Sequence, residues 1–92
     1  MNSIIQADRE HCYFCGKAAT ETHHIWAGVA NRRISETYGL TVYLCHDCHL
    51  GKDGVQYNKE KNLQLKQDAQ RAYQKYFSKQ SWMMLIRKNY LW

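Results

Sequence analysis

Proline is absent from the sequence, and so is any apolar run long enough to cross a membrane. Without proline, no predicted helix is interrupted by a residue that removes a backbone donor. A spanning helix needs about 20 predominantly apolar residues, so we expect no membrane partner. The first six residues, MNSIIQ, contain no apolar h-region, and we therefore expect no signal peptide and a cytoplasmic location. In such a compartment, cysteines are expected as metal ligands rather than disulfides.

The four cysteines form two matched pairs in a short chain. A length of 92 residues predicts one domain over residues 1–92, with a hydrophobic core that alone is marginal. Two C-x-x-C motifs supply four thiolates, a set that favours tetrahedral zinc and leaves no open coordination position. We therefore predict a structural Zn²⁺ bound by these residues: Cys12, Cys15, Cys45 and Cys48.

Three histidines near these motifs are surplus to a four-cysteine site. His23 and His24 lie between the two pairs, and His49 directly follows the last cysteine. Imidazole titrates near neutral pH, so it suits the deprotonation of water, and two imidazoles with waters can hold a divalent ion at a part-open site. Neighbours on a strand point to opposite faces, so His23 and His24 share one site only where the strand bends or ends.

Positive charge is concentrated after the cysteine motifs. Residues 52–92 contain nine Lys/Arg against three Asp/Glu, a balance of +6, whereas residues 1–51 have a balance of −1. This basic half could hold a polyanion, with nucleic acid as the first candidate. A solvated helix with a lysine-rich face is the alternative.

The residue pattern predicts short strands followed by helices. We expect strands over residues 21–27 and 40–44, with a loop or short helix between them. A short helix should begin at His46 and end near Gly51 or Gly54. Apolar residues at helical spacing predict an amphipathic helix over residues 58–77, and Ser78 or Ser81 can cap a last one. The apolar end of the chain either fills the core or forms a homodimer contact.

Residues 12–58 resemble the zinc-containing HNH endonucleases. The resemblance lies in C-x-x-C motifs that enclose a strand ending His-His-Ile, followed by Leu-Cys-x-x-Cys-His. It extends to phage recombination endonucleases and to small phage-encoded HNH proteins. It implies an α+β fold of the small ββα-metal type, held together by the four-cysteine zinc site, with basic C-terminal helices over residues 59–92.

The resemblance also implies a function and residue roles. The function is that of a metal-dependent DNA endonuclease, which hydrolyses phosphodiester bonds. His24 matches the general base, and His23 and His49 match the ligands of a catalytic divalent cation such as Mg²⁺, Mn²⁺, Ni²⁺ or Zn²⁺. Arg32, Arg33 and Lys52 are candidate DNA phosphate contacts, with solvated surface as the alternative.

One position departs from the family pattern. Where the family has an asparagine that supports the loop and orients the base, this sequence has Leu40. Asn31 could take over that role from the loop, and Asn58 is a candidate third metal ligand. The departure favours a rival reading, a zinc-finger DNA-binding module without cleavage. A small interaction or scaffold protein is a further alternative.

Overall fold

A two-stranded antiparallel sheet lies at the centre of the computed structural model, which describes residues 2–91. Strand β1 spans Glu21–His24 and strand β2 spans Thr41–Leu44, with His23 opposite Val42 and His24 opposite Thr41. Strand β1 is shorter than predicted, because the chain bends away after His24. Strand β2 consists mainly of residues that favour strands, and all four of its residues are buried.

Helix α1, Val29–Tyr38, connects the two strands. The sequence left a loop or a short helix open here, and the structure has the helix. Gly39 ends it with φ 69°, and a Cβ at this position would collide with the backbone oxygen of Asn2. Only glycine meets both demands without strain, because it has no Cβ and populates positive φ readily.

Helix α2 spans His46–Leu50 and follows β2 directly. The Cys45 side chain caps it by accepting a long hydrogen bond (3.5 Å) from the amide of Cys48. Its predicted beginning at His46 and its end at Gly51 are confirmed. One turn of helix therefore presents the second cysteine pair and His49 together.

Two further helices follow α2. Helix α3 spans Lys59–Tyr76, capped by Asn58, and helix α4 spans Lys79–Leu85, capped by Ser78. Both predicted helices are confirmed, and their N-caps are residue types whose side-chain oxygens satisfy free amides of the first turn. The molecule is thus a small α+β protein with a two-stranded sheet, four helices in its described part and a four-cysteine cluster.

The core forms where the sheet meets α3 and α4. Trp82 is fully buried and contacts the rings of Trp26 and Tyr73 edge to face. Near the end of the chain, Tyr90 is also buried, and its amide donates to the side chain of the fully buried Gln70. The core-filling alternative for this end is therefore confirmed at Tyr90, whereas Trp92 lies outside the described residues and a homodimer stays a prediction.

Among residues 2–91, no helix is both long and apolar enough to cross a membrane.

Candidate metal centres

The four cysteines converge on one point from two separate parts of the chain. The sulfur atoms of Cys12, Cys15, Cys45 and Cys48 all lie within 4.8 Å of one another. Cys15 Sγ and Cys45 Sγ are 3.6 Å apart, close to the separation of about 3.8 Å expected for two thiolates 2.3 Å from a tetrahedral zinc ion. No disulfide joins them in the described chain. This cluster could hold a metal ion such as zinc.

A turn around Cys12 prepares the first pair for this role. The amide of Gly16, a residue with φ 77°, donates to the carbonyl of Cys12, and His11 and Ala18 pair across the turn. Burial raises the pKa of the Cys12 thiol, but hydrogen bonds from surrounding backbone amides outweigh it and bring the pKa to about 6. The turn therefore favours a thiolate.

The opposite holds for Cys48 in the second pair. Burial, and hydrogen bonds among the neighbouring sulfurs, raise the pKa of Cys48 far above that of a free thiol. Without a cation, the cluster thus favours a thiolate at Cys12 and disfavours a second thiolate at Cys48. A divalent cation would stabilise both thiolates, so the donor set fits a metal.

A second group of side chains lies between β1 and α2. His23 Nδ1 is 3.3 Å from His49 Nε2, although the two residues are 26 positions apart in the chain. Two imidazole nitrogens bound to one ion at about 2.0–2.1 Å lie about 2.8–3.4 Å apart for bond angles between 90° and tetrahedral. Burial, with the charges of His49 and His24, lowers the pKa of His23 to about 4. This imidazole is therefore neutral at pH 7, as a metal ligand must be.

The other nitrogen of His23 is an exception to the rule that buried polar atoms find partners. His23 Nε2 is buried and has no hydrogen-bond partner among the described residues. Leaving such an atom unpaired costs about 1–3 kcal/mol. An unpaired buried nitrogen of this kind is explained by a functional role or by a bound water molecule or ion.

The Glu21 carboxylate binds the nitrogen of His49 that does not face His23. Its Oε1 accepts from His49 Nδ1 at 2.7 Å, and its Oε2 accepts from His46 Nδ1 at 2.8 Å. These hydrogen bonds lower the pKa of Glu21, so it is ionised at pH 7 and acts only as an acceptor. The proton on His49 is therefore fixed at Nδ1, which leaves the lone pair of Nε2 directed towards His23.

His24 points to the other side, towards α1. Its Nε2 lies 3.3 Å from the Glu36 carboxylate, which also accepts from Arg32 Nε at 3.3 Å. The imidazole is only partly exposed, with 19% of its side chain accessible, whereas Glu36 is more than half exposed. The alternation along β1 thus separates His23 and His24, and the strand ends at His24.

The position of the missing asparagine is apolar and inaccessible. Leu40 is fully buried, and its backbone amide and carbonyl bond to Ser35 and Ile25. Ser35 Oγ donates to the carbonyl of Trp26 and accepts from its amide, at 2.9 and 3.0 Å. The buried Ser35 on α1 therefore fixes the backbone at Trp26, two residues after His24.

The other predicted residues lie apart from these clusters or have structural partners. Arg33 and Lys52 are exposed and form no ion pair among the described residues, and Asn31 is also exposed. Asn58 uses its side-chain oxygen to cap α3 through the amide of Lys61. That oxygen is therefore already engaged, which weakens Asn58 as a candidate third metal ligand.

Sequence reasoning missed Glu21, Ser35 and Glu36. A signal existed for Glu21, because alternation on β1 places it on the same face as His23. His46 and His49 are similarly three residues apart on α2, which puts them on one helix face. Nothing comparable marks Ser35 or Glu36, whose partners are set by the way α1 packs on the end of β1.

Comparison with protein-family models gave no match for this chain, and neither the curated proteins nor the solved structures gave one.

Proposed function

We propose that this protein is a metal-dependent DNA endonuclease of the HNH type, with β1, β2 and α2 as its ββα-metal unit. The observation that carries the proposal is the approach of His23 Nδ1 to His49 Nε2. The sequence resemblance assigns the catalytic ion to these two residues. Their nitrogens are at a separation that one ion can bridge, and Glu21 fixes the tautomer of one of them.

His23 and His49 would hold the catalytic divalent cation. Such an ion neutralises charge on phosphate oxygens and on the leaving oxygen during hydrolysis. The chain itself contributes two prepared donors. Burial keeps His23 neutral, and Glu21 directs the lone pair of His49 into the same space. The four-cysteine cluster is a separate site, whose closed donor set suits a structural Zn²⁺.

His24 is the general base in this proposal. Its Nε2 faces α1, on the other side of β1 from His23, but β1 ends at His24, so the attacking water would lie around the end of the strand, between His24 and the ion. His24 removes a proton from the water that attacks the phosphodiester, and the Glu36 carboxylate at 3.3 Å stabilises the imidazolium that results. Ser35 holds the segment after His24 through both backbone groups of Trp26. The serine and Glu36 together take over the loop support and base orientation that the family asparagine would provide.

A plasmid-nicking assay with and without added divalent cation tests the function. The parent protein should convert supercoiled DNA to nicked or linear forms only with the cation. His24→Ala should lower the rate about 10²–10⁴-fold, the usual contribution of a positioned base. His11→Ala is the matched control, because it removes an exposed imidazole whose partner is Asp8, and it should cut like the parent.

A non-catalytic DNA-binding module is the second candidate, and Leu40 is the observation that favours it. If the parent cuts no form of DNA at any divalent cation tested, this candidate replaces the endonuclease. Equal cutting by His24→Ala and the parent would instead remove His24 from the role of base.

A further inference from the structure

A cleft between α3 and the last described residues combines positive charge with exposed aromatic surface. It has a volume of about 520 Å³, within the usual range for ligand sites. Its lining contains three lysines, three amide side chains and two tyrosines, and none of its described residues is acidic. The lining residues that carry the argument are Tyr57, Lys66, Lys88 and Tyr90.

Two of the lysines converge on one aromatic ring. Lys66 Nζ and Lys88 Nζ lie 5.6 and 5.2 Å from the ring centre of Tyr90. Burial and the charge of Lys88 lower the pKa of Lys66. Among residues 2–91, no carboxylate is within ion-pair distance of either amine, so in this part of the chain the repulsion between the two cations is offset through their contacts with the Tyr90 ring. An anion between them would compensate both.

The backbone near Lys88 is held in an unfavourable conformation that maintains this arrangement. Arg87 has φ 67°, a region that non-glycine residues rarely occupy. The carbonyl of Lys88 accepts from the indole of the buried Trp82 at 2.9 Å. The turn after α4 therefore fixes the backbone of Lys88 on the core, and its amine reaches the cleft from a defined position.

One residue of the cleft contacts helix α2, which carries His49. The amide of Val55, which lines the cleft, donates to the carbonyl of Cys48, the residue before His49. Tyr57 also lines the cleft and is 70% exposed. An exposed ring in a basic cleft is suited to stacking on a base, and a base can stack there only if it is not already stacked inside a duplex.

We propose that this cleft binds an unpaired strand of nucleic acid, with Lys66 and Lys88 on its phosphates and Tyr57 stacked on a base. The inference rests on the proposed function in one respect, the nucleic-acid partner, and does not depend on cutting. If the protein also cuts DNA, the cleft defines its substrate class as DNA with a single-stranded segment next to the site of hydrolysis.

Two lysines outside the cleft, Lys75 on α3 and Lys79 on α4, offer a matched control. Lys59 and Lys66 are seven residues apart on α3, about two turns, so they share one side of the helix. Lys75 is nine residues from Lys66, about two and a half turns, and therefore lies on the opposite side. Lys75 and Lys79 are both exposed and outside the cleft. Replacing this pair changes the net charge as much as replacing Lys66 and Lys88 does.

The experiment measures binding of a labelled oligonucleotide of about 12 nucleotides by fluorescence anisotropy, a length within the usual site sizes. The protein carries one zinc ion per chain, at the four cysteines, and the buffer contains no free divalent cation, so that nothing is cut. Lys66→Gln with Lys88→Gln should weaken binding about tenfold or more and reduce the salt slope by about 1.4, or 0.7 for each lost phosphate contact. Lys75→Gln with Lys79→Gln should bind like the parent. Equal weakening by both pairs would overturn the proposal, because it would show a general charge effect.

Tyr57 separates an unpaired strand from a duplex. Tyr57→Leu should weaken binding of the single strand at least about fivefold, Tyr57→Trp should restore it, and duplex binding should not change. An unchanged single-strand affinity in Tyr57→Leu would overturn the unpaired-strand assignment. Displacement of the strand by inorganic phosphate as readily as by unlabelled oligonucleotide would reduce the cleft to an anion site. If the cleft binds the strand but the protein cuts no DNA, this inference holds and only the proposed endonuclease activity is contradicted.

Discussion

Glu21 Oε1 accepts the Nδ1 hydrogen of His49 at 2.7 Å, across the gap between β1 and α2. Its second oxygen accepts from His46 in the same way. One carboxylate therefore joins the strand that carries His23 to the helix that carries His49. Hydrogen bonds of this kind fix the orientation and tautomer of a metal-ligating histidine.

The first prediction concerns this carboxylate. Glu21→Gln should lower the affinity for a catalytic divalent ion about 10–100-fold, because an amide holds the His49 tautomer less firmly. Zinc content at the four cysteines should stay at one per chain. Titration with Mn²⁺, followed by electron paramagnetic resonance, measures the affinity without any need for activity. His46→Ala is the control, since it removes the other partner of Glu21 and leaves the bond to His49.

The second prediction concerns the four-cysteine cluster. Structural zinc in small domains contributes of order 10 kcal/mol of apparent binding energy. A strong chelator should therefore abolish cooperative thermal unfolding, as followed by circular dichroism, and zinc should restore it. Cys15→Ala should have the same effect as the chelator. A metal-free protein that still unfolds cooperatively would show that the core alone holds the fold.

The third prediction concerns the strained residue after α4. Arg87→Gly should raise the free energy of unfolding by about 0.5–1 kcal/mol, because glycine accepts φ 67° without the penalty that a Cβ imposes. Gln64→Gly, at an exposed position inside α3, should lower it by about 1 kcal/mol, the usual cost of glycine in a helix interior. Chemical denaturation measures both changes, and a loss of stability in Arg87→Gly would contradict the assigned strain.

Much of this architecture could be predicted from local patterns. The spacing of Leu65, Ala69 and Tyr73 predicts α3. Ser78 is one of the two serines, with Ser81, that the sequence offered as the cap of α4. The two C-x-x-C pairs predict a cluster that the structure brings together. Such features depend on residues close in sequence or on a single shared ligand type.

What could not be predicted depends on how distant elements pack. The length of β1 is one case, because the bend after His24 is set by the Ser35 side chain on α1 rather than by strand propensity. The division of the α3 lysines between two environments is another, since it is the last described residues that turn one side of the helix into a cleft. No local sequence pattern predicts the contact of Ser35 with Trp26 or the packing of the last described residues beside α3.

The fourth prediction concerns the residue that replaces the family asparagine. Because Leu40 is fully buried, Leu40→Asn should lower the free energy of unfolding by about 2–5 kcal/mol, through lost packing and a buried amide. If the absence of the family asparagine limited the site, the same substitution would restore an orienting group and raise the rate. The burial of Leu40 argues instead for a loss of folded protein, which denaturant titration would measure. Cutting faster than the parent at equal folded concentration would show that the missing asparagine limits the site.

The last prediction separates the two metal ligands from the base. His49→Ala removes one donor of the proposed ion, so its cutting should be weak at low divalent cation and should recover in part as the cation is raised. His24→Ala should not recover, because added metal does not replace a proton acceptor. The measurement is the initial rate of plasmid nicking against Mn²⁺ concentration for the parent and both variants, with zinc content confirmed for each. Because Glu36 lies 3.3 Å from His24 Nε2, Glu36→Gln should lower the maximal rate without moving the metal dependence. If excess Mn²⁺ rescues His24→Ala as well as His49→Ala, His24 acts on the ion and the proposed division of roles between the histidines fails.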